Sequence, residues 1–157
     1  MAGRETPATR AVKAAGIEHA VHEYAHDPAA ESYALEAAEA LNLDPARVFK
    51  TLVVAAEGGA DGLTVCIVPS AETLDLKAVG KRAQMAPTDR AERVTGYVAG
   101  GISPLGQRRA LPTLVDDSAL QHATIFVSAG RRGLELELAP DHLVKLTRAQ
   151  VRHLRRA

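Results

Sequence analysis

Two apolar runs, Thr51–Ala56 and Leu63–Pro69, stand on either side of Glu57-Gly58-Gly59-Ala60-Asp61-Gly62. The second run is rich in β-branched residues, and the six residues between carry three glycines. This is the pattern of two strands joined by a hairpin loop, and it commits the chain to an antiparallel pair. Other strands read Ile17–Tyr24, Thr113–Asp116, Thr124–Ser128 and Leu134–Leu138, the last alternating apolar and acidic residues so that one face is expected to be wet. Helices alternate with them. Thr6-Pro7 opens one that Gly16 closes, Ser32–Leu41 is rich in Ala, Glu and Leu, and Asp75, Thr88 and Ala139-Pro140 open three more. His26-Asp27-Pro28 marks a loop, and Asp44-Pro45 a short helical turn. Hairpins interleaved with helices require a mixed rather than a purely parallel sheet. The expected fold is therefore mixed α/β.

At 157 residues the chain suits a single domain over 1–157 that buries a core without disulfides or metals. No apolar run approaches the roughly 20 residues needed to span a bilayer, and the first residues lack the apolar stretch of a signal peptide. Cys66 is the sole cysteine, which excludes an intramolecular disulfide or a thiolate metal cage and makes the cytoplasm the default location. Formal charge sums to zero, but unevenly: residues 1–79 hold six basic and twelve acidic side chains, and residues 80–157 hold thirteen and seven. A neutral total argues against strong sequence-blind binding of DNA or any other nucleic acid. A basic second half still allows a local polyanion patch, and solvated helix faces would read the same way.

The familiar catalytic templates are absent. There is no G-x-S-x-G elbow, no P-loop and no dinucleotide fingerprint. The six histidines form no helical pair of ligands and have no C-x-x-C companion, so no metal site is expected. Cys66 lies mid-strand between Val65 and Ile67, the setting of an inert buried thiol. Three features remain. Lys50 immediately precedes the apolar strand, as a solvated end-marker or as a functional ammonium. The loop from Gly96 to Gly106 holds four glycines and one proline, and is either a long connector or a backbone cradle for a ligand. Arg131 and Arg132 sit on a tight turn, where they form a charged hairpin tip or a fork for phosphate.

Taken together, His22-Glu23-Tyr24-x-His26-Asp27-Pro28, Val48-Phe49-Lys50-Thr51-Leu52, Thr95-Gly96-Tyr97 through Gly100-Gly101-Ile102-Ser103-Pro104-Leu105-Gly106-Gln107, and Thr124-Ile125-Phe126-Val127-Ser128 resemble the YbaK family. Its members are free-standing bacterial Cys-tRNA(Pro) deacylases related to the editing insertion of prolyl-tRNA synthetases. The likeness runs from about Thr6 to about Leu146. It implies a mixed α/β domain with a curved, partly barrel-like sheet flanked by helices. It also implies trans-editing: hydrolysis of the ester of a wrong amino acid on tRNA(Pro), with no cofactor. Proline-sized pockets reject cysteine or alanine weakly, since a methylene yields only about 1–3 kcal/mol of discrimination. The family's essential lysine falls on Lys50, its glycine loop on Gly100 and Gly101, its pocket tyrosine on Tyr24 and its pocket serine on Ser128; Phe49, Ile102 and Ser103, in the same runs, are further candidate substrate contacts. Arg131 and Arg132 become candidate tRNA contacts, and prolyl-tRNA synthetase a candidate partner.

Such enzymes are thought to use the substrate's own cysteine thiol as nucleophile, which suits a chain with no convincing nucleophile of its own. On that reading Lys50 supplies positive charge, the N–H groups of Gly100 and Gly101 hold the carbonyl oxygen, and Tyr24 and Ser128 shape the pocket. Ala-tRNA(Pro) attacked by water, and a non-catalytic tRNA- or synthetase-binding module, are the alternatives. One departure stands out: position 129 is Ala where the family commonly has glycine, a cost of about 1 kcal/mol if that backbone needs φ > 0. The basic stretch Arg148–Ala157 is expected to complete the last helix.

Overall fold

The Leu63–Pro69 run folds into a strand in which all seven residues are buried, which is possible only in a sheet covered on both faces. The structure, a computed structural model, describes residues 5–27, 29, 32–60 and 62–156, with side chains 57–60 left aside. In chain order the elements are α1 (Pro7–Ala14), β1 (Ala20–Glu23), α2 (Tyr33–Ala40), a 3-10 turn (Pro45–Arg47), β2 (Phe49–Ala60) and β3 (Leu63–Pro69). Then come α3 (Leu76–Val79), β4 (Gln84–Met85), α4 (Thr88–Thr95), β5 (Thr113–Asp116) and a 3-10 turn (Asp117–Gln121). The chain ends with β6 (Ile125–Arg131), β7 (Leu134–Leu138), α5 (Pro140–Thr147) and β8 (Gln150–Arg152).

One sheet has the order β4-β2-β3-β5-β8, and the other β1-β7-β6. The first is mixed, as the hairpins demanded. β4, β2 and β3 run antiparallel, whereas β3–β5 and β5–β8 are parallel. Each parallel pair needs a crossover, supplied by α3 through the glycine loop and by the β6–β7 hairpin with α5. The second sheet is wholly antiparallel. A parallel bridge between Val48 and Phe126 ties the two sheets together at the root of β2, which gives the partly barrel-like curvature without closing a barrel.

The main core lies between the sheets and α1. Phe49, Val53, Val65 and Ile67 meet Val127, Leu134, Leu136, Leu138, Leu143 and Val12 there. Val54, Cys66, Val68 and Leu114 cover the other face of the larger sheet together with Leu74 and Leu154. Local signals explain the helix ends. Thr6 and Thr9 form a reciprocal cap on α1, Ser32 caps α2, and Gly96 ends α4 at φ +83°.

Four expectations are corrected. β2 continues through Ala60 into what was read as loop, with Ala55 and Ala60 both opposite Leu63, while Asp61 lies outside the described residues. β1 is confined to Ala20–Glu23, and Pro28 of the expected loop also lies outside the described residues. The basic C-terminal stretch does not extend α5. Arg148 adopts φ +56° and stops the helix, and Gln150–Arg152 adds β8 beside β5. Finally, the acidic face of β7 is not wet: Glu135 is only 5% exposed, and α2 packs its Ala37 and Ala38 against Val48 and against Phe126 of the same sheet.

Candidate active site

β4 pairs with β2 only at Val54 and Ala55, and the Ala86 N–H reaches Val53 O just beyond. The stretch Phe49–Leu52 is therefore left as an uncovered edge next to the junction of the two sheets. A cavity of about 360 Å³ opens there, near the small end of the range for small-molecule sites. β2 contributes Phe49, Lys50 and Thr51. The second sheet contributes Tyr24, Ser128, Arg131 and Glu135, and the glycine loop contributes Gly100 and Ile102. Tyr33 from α2, and Met85, Thr88 and Ala91 from the β4–α4 segment, complete the wall.

The electrostatics of this wall are unusual. Lys50 is partly buried, and loss of hydration lowers its pKa against the opposing pull of Glu72. Burial pushes the Glu135 carboxyl up to about 8, so it is largely neutral at pH 7. Its Oε2 and the Thr51 hydroxyl are buried without a hydrogen-bond partner among the described residues. Each such group costs a fold about 1–3 kcal/mol, so two of them beside one cavity mark a place organised for something other than stability. Burial also raises the Tyr24 hydroxyl, and Glu135 and Glu36 push in the same direction.

The glycines have distinct duties. Gly100 sits at φ +91°, and a Cβ there would fall 2.9 Å from the Tyr33 ring. Gly101 lets the loop lie directly on the β6–β7 hairpin: a Cβ would meet Arg131 Cα at 2.7 Å. Its N–H donates to Val98 O at 2.9 Å and is not available to a ligand, which corrects the reading of Gly101 as half of an oxyanion cradle. Gly100 N–H has no acceptor among the described residues.

Ser103 is corrected as well. It is fully buried away from the cavity, with its hydroxyl accepting the Leu105 N–H. Ser128 does face the cavity and accepts the Gly130 N–H. Arg131 lines the wall, whereas Arg132 turns inward. Its guanidinium pairs with Glu36 at 3.3 Å, stacks 4.2 Å over Tyr33 and donates to Asp27 O, so a tRNA contact through Arg132 is not supported. Ala129 is absent from the positive-φ residues; the left-handed position is Gly130, at φ +111°, so the anticipated strain does not arise.

Cys66 is fully buried, its thiol pushed up to about 12 by burial, and it is not part of the cavity. No histidine lines the wall either. Elsewhere, Asp116, Asp117 and His153 gather closely, but Asp116 already accepts the Ser118 and Leu154 N–H groups and pairs with Arg155 at 2.9 Å.

The sequence pattern missed Glu135, Thr51 and Tyr33. Glu135 was recoverable in principle. It pairs with Ser128 across the β6–β7 ladder, so once Ser128 is assigned to a pocket its cross-strand neighbour belongs to the same surface.

The mixed α/β fold thus carries a cavity walled by an ammonium, a buried acid and a glycine loop, with neither histidine nor cysteine in its lining. Residues 27–146 match the family model described as the aminoacyl-tRNA editing domain. The chain belongs to that family. Over 155 residues it is 36% identical to the proposed Cys-tRNA(Pro)/Cys-tRNA(Cys) deacylase EbsC of Enterococcus faecalis (strain ATCC 700802 / V583), covering 94% of this chain and 91% of that protein. Among solved structures it resembles a proposed trans-editing enzyme for prolyl-tRNA synthetase, with TM-score 0.83, 26% identity, and 100% and 99% of the two chains covered. An epitope-grafting scaffold protein, 23% identical with TM-score 0.84 and the same coverage, shares the fold. No helix among the described residues is long and apolar enough to cross a membrane.

Proposed function

We propose that this chain is a trans-editing deacylase that clears Cys-tRNA(Pro), with the substrate's thiol opening its own ester. The observation that carries the reading is the composition of the cavity wall. It offers positive charge at Lys50, a hydrogen-bonding acid at Glu135 and backbone at Gly100, but neither histidine nor cysteine. Such a site positions and stabilises a reactant that supplies its own nucleophile.

In the first step the cysteinyl sulfur bonds to the ester carbonyl carbon. The bond from that carbon to the ribose oxygen breaks, and the thiol proton ends on that oxygen, leaving tRNA with a free hydroxyl. The resulting cyclic thioester takes up one water and gives free cysteine. Lys50 and the Gly100 N–H face the charge that develops on oxygen. Glu135, with Tyr24 beside it, receives the α-amino group; a cationic amine entering the cavity would pull the proton off Glu135. Phe49 and Ile102 form the apolar floor, Ser128 and Thr51 hydrogen-bond the ribose edge, and Arg131 meets the terminal phosphate.

The reaction would run in the cytoplasm. Association with prolyl-tRNA synthetase would supply selectivity for tRNA(Pro), because a chain with zero formal charge gains little from general phosphate neutralisation. The test sets Cys-tRNA(Pro), S-methylcysteinyl-tRNA(Pro) and Ala-tRNA(Pro) side by side. Release of cysteine, with the capped and alanyl esters at least 100-fold slower on the order of one lost transition-state interaction, is expected. Release of alanine without cysteine would replace the thiol by water and overturn the proposal.

A further inference from the structure

The two rims of the cavity carry opposite charge. On the α2 side, Asp27, Glu36 and Glu39 line a shallow groove, and Glu36 is already paired with Arg132. On the other side, the segment from α3 to α4 holds Lys77, Lys81, Arg82, Arg90 and Arg93 against Asp89 and Glu92. Lys81, Arg82 and Arg93 are exposed and carry no ion pair among the described residues. Arg82 is held at φ +58°, an uncommon backbone for a residue with a side chain. Two apolar side chains stand exposed at the same mouth: Met85, 50% exposed on β4, and Val98, 74% exposed just before the cavity-lining Ala99 and Gly100.

We infer that this rim is the track for the single-stranded 3′ end of the tRNA, with its last bases on Met85 and Val98 and its phosphates on Lys81, Arg82 and Arg93. Cationic groups that follow a backbone, next to apolar surface on which bases stack, are what an unpaired strand requires. Register supports the layout. Gln84 faces Ala55, five residues and so about 17 Å along β2 from Lys50 at ~3.3 Å per residue, and Arg82 stands two residues beyond Gln84, a reach that a few unpaired nucleotides cover. The acidic rim opposite repels the same phosphates and leaves one direction of approach. The inference rests on the reading of the cavity as an aminoacyl-ester site and adds to it the path of the strand.

The experiment compares the wild-type protein with K81E/R82E/R93E and with a charge-matched reversal of exposed cations elsewhere, K13E/K145E/R156E. Two substrates are used, Cys-tRNA(Pro) and 3′-cysteinyl-adenosine, which has no phosphate; thermal melting confirms that each variant is folded. The rim variant should lose at least about tenfold in kcat/KM on the tRNA and less than twofold on the nucleoside ester. Its log–log salt slope should fall by about 2, as for three single-strand phosphate contacts. Equal losses in both triple variants, or full activity of the rim variant on tRNA, would overturn it. If the wild-type protein cleaves neither ester, the editing reading fails by itself. Uncharged tRNA(Pro) binding then judges the rim: a weaker Kd in the rim variant alone upholds it, and equal Kd values sink it.

Discussion

Glu135 and Glu137 sit two residues apart on β7, on one face of one strand, and the fold treats them in opposite ways. Glu137 is surrounded. Burial pushes its carboxyl up, but hydrogen bonds from Thr124 and His22 and the charge of Arg47 outweigh that and hold it below the usual range. His22 lies 2.9 Å from it, and Arg47 also donates to Thr124. Glu135 is governed by burial, which pushes it up to about 8. One end of the face is a closed polar network; the other is a set of polar groups waiting beside a cavity. A carboxylate with all its partners inside the protein holds structure together, and one left without them is available to a ligand.

The largest test of this contrast lies at the open end. Lys50→Ala should lower kcat/KM for Cys-tRNA(Pro) by about 10²–10³, the range for removing one group that stabilises developing charge. Its Tm should stay within about 2 °C, since the ammonium has no partner ion at contact distance among the described residues and its removal changes stability by little. Loss of folding together with activity would move Lys50 from the chemistry to the scaffold. At the closed end the effects should trade places. Glu137→Ala leaves His22, Thr124 and Arg47 without their shared acceptor, so urea unfolding should report a loss of about 1–3 kcal/mol, with kcat/KM within twofold of wild type. A Glu137 variant that is stable but inactive would erase the distinction between the two ends.

The contrast also shows how far a sequence carries. The β2–β3 hairpin, the mixed sheet and the cap at Thr6 could be read because each rests on a local signal: β-branched runs around glycines, or a hydroxyl before a proline. Lys50, Tyr24, Phe49, Gly100, Ile102 and Ser128 were reached through a family resemblance, and the cavity does gather them. The alternation of β7 pointed the wrong way, because period 2 says only that the acids share a face. That α2 lies over that face is a tertiary fact. Gly101 and Ser103 were read from a motif, but hydrogen bonding is decided by the turn: Val98 O takes one N–H, and the Leu105 N–H takes up the serine hydroxyl. Arg132 looked like a hairpin-tip cation until Glu36 and Tyr33 arrived from α2, nearly a hundred residues away along the chain. Strand β8 was missed because three exposed residues after a left-handed arginine carry no pattern of their own.

The finest discrimination between the two acids comes from a single atom. Glu135→Gln keeps shape and hydrogen bonds but cannot ionise when a cationic amine arrives, so kcat/KM should fall by about tenfold, or about 1.4 kcal/mol. Stability should move differently. In the folded protein Glu135 holds its proton up to about 8, whereas unfolded it releases it near 4.5. Between those values the folded state binds the extra proton, so the stability that Glu135 contributes is complete below pH 4.5 and is lost as pH rises toward 8. The wild-type protein should therefore lose stability relative to Glu135→Gln by at most about 1.4 kcal/mol per pH unit from pH 5 to 8, measured as the difference in urea-unfolding free energy at each pH. Glu137 reverses the sign: its contribution is present above its unfolded value and disappears as pH falls through its lowered folded value. Glu137→Gln should therefore narrow its gap from wild type only on the acid side. A flat difference for Glu135→Gln across pH 5 to 8 would mean that the carboxyl is ionised in the empty cavity, and the two ends of β7 would then be alike.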